Sequence, residues 1–405
     1  MSALLTRFPV FAYISKWLFL SSIVAVGAGS ASALFLVSLD WVTNYREAHP
    51  WLIALLPVGG FIIGWLYLRV GQSVVGGTNL VIDTIHQAGS RIPFRLFPLV
   101  LVGTLVTHLL GGSAGREGTA LQLGGSLADQ LTRPFRLSPT DRRLILMAGV
   151  SAGFGSVFGT PLAGAVFGLE VLVIGRLTYE AIFPVFIAAL GADYVTRWWQ
   201  VGHTYYAIAT VPPITPVFAL YALLAGIVFG GCALLFTRIT HAITDLAKRH
   251  IAYAPLRPVV GGIIVAGAMW ALGTTRYSGL GIPVIVESFT QQLPPYDFIV
   301  KLLLTAITLG MGFKGGEVTP LFFIGATLGN GLSYWLPLPT GLLAGMGFVA
   351  VFAGAANTPL ACMVLALELF GTACGPYAAI ACVTAYLCSG SRGIYGSQLP
   401  GEGKK

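Results

Sequence analysis

The chain has 405 residues, 56% of them apolar and only 9% charged, with a mean hydropathy of +0.82. A soluble domain carries about 25% charged residues, so the composition excludes a water-soluble enzyme and describes an all-α polytopic membrane protein. The net charge of +8 then reads as loop bias across a lipid bilayer, not as nucleic-acid binding.

A helical span needs roughly 20 apolar residues. Candidate stretches, in chain order, are 17–39, 52–70, 96–110, 144–173, 181–194, 217–236, 259–272, 298–312, 321–335, 341–352 and 360–387. Several are too short or too glycine-rich to cross straight. With 52 Gly and 23 Pro, broken or re-entrant helices are expected, and these survive at depth only inside protein or beside a cavity. The first run follows a single Arg and has no small-residue cleavage site, so it reads as a retained span. Basic pairs at Arg91/Arg95, Arg133/Arg136, Arg142/Arg143 and Lys248/Arg249, with the Lys404–Lys405 tail, are expected on the cytoplasmic side of a multi-pass inner-membrane protein. The five cysteines lie in or beside apolar runs without metal-ligand spacing. They read as small core residues, and neither a metal nor another cofactor is expected.

Two glutamates break the apolar pattern. Glu117 lies in Gly-Ser-Ala-Gly-Arg-Glu-Gly-Thr (112–119), and Glu317 in Lys-Gly-Gly-Glu-Val-Thr-Pro (314–320). Ionisable groups inside a membrane are costly and mark functional sites. The two loops align at an offset of 200, matching Gly115/Gly315, Glu117/Glu317, Thr119/Thr319, Leu121/Leu321 and Gly125/Gly325. A second repeat follows at an offset of 198: Thr-Pro-Leu-Ala-Gly-Ala-Val-Phe-Gly-Leu-Glu (160–170) and Thr-Pro-Leu-Ala-Cys-Met-Val-Leu-Ala-Leu-Glu (358–368) share seven of eleven residues. A looser pair sets Gly76-Gly77-Thr78-Asn79 against Gly279-Leu280-Gly281-Ile282. One transmembrane domain therefore divides into halves of about 10–200 and 215–395, with a site expected at their interface.

Glycine-rich turns that open helices expose free N–H groups at the positive end of the helix dipole, which is an anion site. An ionised Glu117 can fill such a cradle itself; a protonated one leaves it to a free anion. The alternative is a structural pair with Arg116, disfavoured because adjacent helical residues do not face each other. Glu317 reads either as a second proton station or as a cap on helix N–H groups. Glu170 and Glu368 read as structural carboxylates for a loop Arg. Asn79 is an anion donor or a turn residue, and Thr119 and Thr319 offer hydroxyls to an ion or to backbone. His108 reads as a satisfied interior histidine, and Tyr395 as an interfacial belt member. No zinc-helix motif, nucleophile turn or paired catalytic aspartates occur, so an intramembrane enzyme is not expected.

The Gly-Arg-Glu-Gly-Thr loop, the Gly-Gly-Glu-Val-Thr-Pro loop, the Thr-Pro-Leu-Ala helix starts and the late Tyr395 resemble the CLC family of anion channels and anion/proton antiporters, over about 75–397. The resemblance implies two inverted halves, a homodimer with one pore per subunit, and an anion site of helix N-termini. It implies that Glu117 is the gating glutamate and that Tyr395 lines the pore. Chloride-type members have Gly-Ser-Gly-Ile-Pro in the first loop, a Phe where Val318 stands, and an inner proton-transfer Glu where Val171 stands. Those departures resemble the fluoride/proton antiporter branch, in which the residues matching Glu317 and Thr319 handle fluoride and protons. The implied function is fluoride export driven by inward protons. The expected gating and coupling residues are Glu117 and Glu317, and the anion-binding set is Asn79, Gly115, Arg116, Gly118, Val318, Thr319 and Tyr395. No regulatory domain is expected after Tyr395. The same-family alternative is a chloride or nitrate exchanger or channel.

Overall fold

A computed structural model describes residues 9–87, 91–401 and 404. The expected first span, 17–39, lies wholly within the described residues, whereas Lys405 of the expected basic tail lies outside them. The first half comprises α1 (Pro9–Ala48), α2 (Leu56–Arg69), α3 (Thr78–His86), α4 (Leu96–Leu109), α5 (Glu117–Gln130), α6 (Pro139–Phe158), α7 (Pro161–Glu170) and α8 (Ile182–Trp198). The second comprises α9 (Pro216–His250), α10 (Leu256–Leu272), α11 (Ile282–Glu287), α12 (Asp297–Gly310), α13 (Val318–Leu332), α14 (Thr340–Ala356), α15 (Pro359–Phe370) and α16 (Gly375–Cys388).

Among the described residues four helical segments are long and apolar enough to cross a membrane: Val10–Ala48, Pro50–Arg69, Tyr179–Trp198 and Pro216–His250. The last exposes Val217, Leu220, Leu224, Ile227 and Val228. That face suits lipid, since water-soluble surfaces avoid contiguous apolar patches of this kind. Of the remaining helices, α5, α6, α13 and α14 are buried almost throughout, whereas α10 exposes Ile263 and Trp270. Two expected stretches prove to be two helices each. The run 144–173 breaks at Gly159, whose φ of +72° ends α6, and Pro161 opens α7. The run 360–387 breaks at Gly371, with φ +86°. The run expected to end at 236 instead continues in α9 to His250, where Ile243 packs against Gly310 of α12.

The halves repeat their packing. In the first, Gly124 of α5 lies against the Gly149 carbonyl of α6; in the second, Gly325 of α13 lies against the Gly347 carbonyl of α14. Small residues let helix backbones touch where the hydrophobic effect does not drive association. The copies run in opposite directions. Glu170, ending α7, accepts the N–H groups of Leu360 (3.0 Å) and Ala361 (2.8 Å) at the start of α15. Glu368, near the end of α15, accepts those of Leu162 (3.0 Å) and Ala163 (2.7 Å) at the start of α7. Each C-terminal carboxylate thus caps the other copy's N-terminus, so the two helices are antiparallel and the halves inverted. The expectation of a loop Arg partner is corrected. First-turn N–H groups have no partner within their own helix, and they reach these carboxylates first.

Two basic groups depart from a solvated loop face. Arg142 is buried and grips Asp129 through Nε (2.7 Å) and Nη2 (2.9 Å). Lys404 is buried, donating to Asn357 Oδ1 (2.7 Å) and Ser389 Oγ (3.1 Å) over the Tyr386 ring. Cys232, Cys362, Cys374 and Cys382 are buried, while Cys388 is exposed.

Candidate functional site

The two glutamate loops meet back to back. Gly115 and Gly316 form an antiparallel bridge, with N–H to carbonyl distances of 2.6 and 2.7 Å. A Cβ on Gly115 would stand 2.9 Å from the Gly316 oxygen, and one on Gly316 would stand 2.7 Å from the Gly118 nitrogen. Only glycine permits this approach, and the approach brings the first turns of α5 and α13 together. Ser113 ties the same seam to α12, its hydroxyl 2.8 Å from Thr305 Oγ1.

Glu117 is the first residue of α5 and is fully buried. Its carboxylate does not cap its own helix. Oε2 accepts the backbone N–H of Thr319 at 3.0 Å and that of Arg116 at 3.2 Å. Oε1 accepts the Thr319 hydroxyl. Thr319 is the second residue of α13, so the carboxylate occupies the N-terminus of a helix from the opposite half. Hydrogen bonds to an ionised group stabilise by about 1.5–3 kcal/mol each, and the dipole of α13 adds to them. The side chain of one half thus fills the place where the other half presents its first-turn donors.

Arg116 requires a correction. Its Nε lies 3.5 Å from Glu117 Oε1, and it is buried. The rule that neighbours diverge holds inside a helix, but Arg116 is the residue before α5, with φ at −113°. The contact is an ion pair without a hydrogen bond, since Arg116 Nε has no hydrogen-bond partner. The carboxylate's bonds go to Thr319 and to backbone.

Glu317 behaves differently. It is the residue before α13 yet makes no capping bond to that helix, so the capping alternative does not hold. It lines a cavity of about 280 Å³ shared with Asn79, Gln122, Lys314 and Tyr395. Asn79 accepts the Ser397 N–H through Oδ1 at 3.2 Å. Tyr395 is buried edge-on against Phe167 at 6.2 Å, which overturns its reading as a belt residue. Val318, Gly115 and Gly118 are buried in the paired turns. Thr119 turns away to Thr104, with hydroxyls 2.7 Å apart. His108 is buried with ring nitrogens 2.9 Å from the Thr104 carbonyl and 3.1 Å from that of Ala114.

The looser repeat has diverged. The turn at Gly76–Asn79 lines the cavity. Its counterpart near Gly279 is closed by buried Lys301, which donates to the carbonyls of Tyr277 (2.9 Å) and Gly279 (2.6 Å). Sequence reasoning also missed Gln122, which donates to Thr78 Oγ1 at 3.2 Å. An amide set among the small and apolar residues in the middle of α5 is its signal. The stacked pairs Phe322–Phe348 and Phe154–Phe167, with centroids 4.0 and 4.3 Å apart, were missed as well. No single residue advertises such a wall.

A model of the voltage gated chloride channel family matches residues 59–390. A chloride/fluoride channel protein of Pseudomonas syringae pv. tomato is 57% identical, over 97% of this chain and 88% of that protein. An H(+)/Cl(-) exchange transporter ClcA of Cronobacter sakazakii is 28% identical, over 87% of this chain and 81% of that protein. A crystal structure of a CLC-type fluoride/proton antiporter superposes with a TM-score of 0.93 at 36% identity, covering 96% of this chain and 98% of that one. A slow cyanobacterial Cl-/H+ antiporter shares the fold with a TM-score of 0.81 at 20% identity, over 94% of this chain and 96% of that one.

Proposed function

The chain belongs to the voltage gated chloride channel family, and we propose that it exchanges fluoride for protons across a membrane, exporting fluoride as protons enter. One observation carries the mechanism: the Glu117 carboxylate sits on the N-terminal donors of α13, held by the Thr319 N–H and hydroxyl. Ionised, Glu117 competes with an anion for those donors. Protonated, it loses its charge, the bonds weaken, and the carboxyl leaves the cradle to a free anion. A proton and an anion thereby move in alternation through one position.

Fluoride is supported by the second loop. Thr319 supplies a hydroxyl as well as an N–H, and a small, strongly hydrated anion needs every water bond replaced. Glu317, free of any cap, stands in the adjoining cavity as a second proton station. Asn79 and Tyr395 border the anion's route there, and Gly115, Gly118 and Val318 shape the turns. We further propose a homodimer in a bacterial inner membrane, transporting ions without enzymatic chemistry. The 57% identical relative is named a channel, which favours a second reading in which fluoride passes without protons.

The test is efflux from proteoliposomes loaded with fluoride and chloride, read with electrodes for both anions. Fluoride leaving much faster than chloride supports the substrate; chloride leaving faster rejects it.

A further inference from the structure

The cavity beside Glu317 contains a cation that the gating scheme does not use. Two lysines lie near the paired turns, Lys301 buried and Lys314 half-buried, and they are satisfied differently. Lys301 is closed in on two carbonyls. Lys314 runs past Gly103, where an added Cβ would stand 3.0 Å from its Cβ and Cγ, and sets its ammonium 4.1 Å from the centroid of the Tyr67 ring. Among the described residues it has no carboxylate within ion-pairing distance and donates no hydrogen bond to protein. The cations Lys16, Arg142, Arg197 and Arg276 each hold a carboxylate.

A ring face satisfies an ammonium from one side only. An ammonium has three donors, and Lys314 lines the cavity that Asn79, Gln122, Glu317 and Tyr395 also line. We propose that Lys314 is an anion-recruiting residue that draws a monovalent anion, fluoride in the test below, into this cavity before it reaches the Glu117 position. The inference rests on the reading of the chain as an anion transporter. Glu317 makes the recruitment reversible. It lines the same cavity without pairing to Lys314, so when ionised it repels the anion that Lys314 attracts. Glu117 does not border this cavity, so the fixed charge stays off the gate and does not trap the ion there, as conduction through several weak sites requires.

The test is fluoride efflux from proteoliposomes across a range of internal fluoride, for the native chain, Lys314→Met and Lys314→Arg. Lys314→Met keeps the stem on Gly103 and Tyr67 and removes the charge. It is expected to raise the half-saturating fluoride concentration about tenfold, with a smaller change in the plateau rate, a signature of lost ground-state binding. Lys314→Arg restores the native value to within a few-fold. Raised ionic strength slows the native chain at sub-saturating fluoride more than it slows Lys314→Met. Unchanged half-saturation in Lys314→Met, or equal salt dependence, overturns the proposal. Should Lys314→Met not fold, the salt dependence of the native chain alone decides, and a flat response overturns it. Absence of fluoride flux in the native chain would defeat the transport reading itself, which separates the two failures.

Discussion

The two glutamate loops share a motif, a glycine break and a place at the start of corresponding helices, yet their carboxylates stand in opposite circumstances. Glu117 is fully buried and takes three donors, two of them from Thr319 of the other loop. Glu317 takes none from its own helix and borders a cavity. Duplication supplied two equivalent backbones, and contact between them made the side chains unequal. Once Glu117 occupies the start of α13, the donors that Glu317 would cap are taken. The asymmetry follows from one residue reaching across.

That comparison rests on the inverted scaffold, whose loss has the largest expected effect. Glu170→Ala removes two charge-assisted bonds to the start of α15 and should cost about 3 kcal/mol. Thermal unfolding in detergent measures it, and an unchanged transition would deny the capping role. Gly316→Ala comes next. The added methyl meets the Gly118 nitrogen and pushes the loops apart, costing about 1–3 kcal/mol of strain, with coupled transport lost. Normal flux in this variant would show that the loops tolerate separation. Thr319→Val keeps the backbone donor and deletes the hydroxyl. One charge-assisted bond of about 1.5 kcal/mol is roughly tenfold in occupancy of the cradle, so fluoride leak per proton moved should rise by about that factor. An unaltered flux ratio would separate Thr319 from the gate. Glu317→Gln should change stability least, by less than about 0.5 kcal/mol, because no cap on α13 is lost. A large fall in its transition temperature would reveal a structural partner and erase the contrast between the loops.

Much of this was legible in the chain. The repeats at 160–170 and 358–368 marked the two inverted copies, and the paired Gly-Glu loops marked the candidate site. The direction of the halves was not readable from the repeats themselves. It emerged from Glu170 and Glu368, whose partners are backbone N–H groups that no pattern of side chains displays. Spans were misjudged where hydropathy was continuous but backbone was not, as at Gly159 and Gly371. Arg116 was misplaced because a rule for helical neighbours was applied one residue before the helix began. Tyr395 reads by base rate as an interface residue and by resemblance as a pore-lining one; it packs on Phe167 and borders the cavity. Lys314 lies inside the quoted motif, but its isolation from carboxylates is a property of three-dimensional neighbours.

The central claim is that one carboxylate alternates with the anion and so ties it to protons. Fluoride and proton fluxes recorded together in proteoliposomes, for the native chain and for Glu117→Gln, test it most directly. The native chain should move protons against fluoride, and Glu117→Gln, neutral at every pH, should lose proton movement by about 100-fold or more. Proton-coupled fluoride transport persisting in Glu117→Gln would contradict the account.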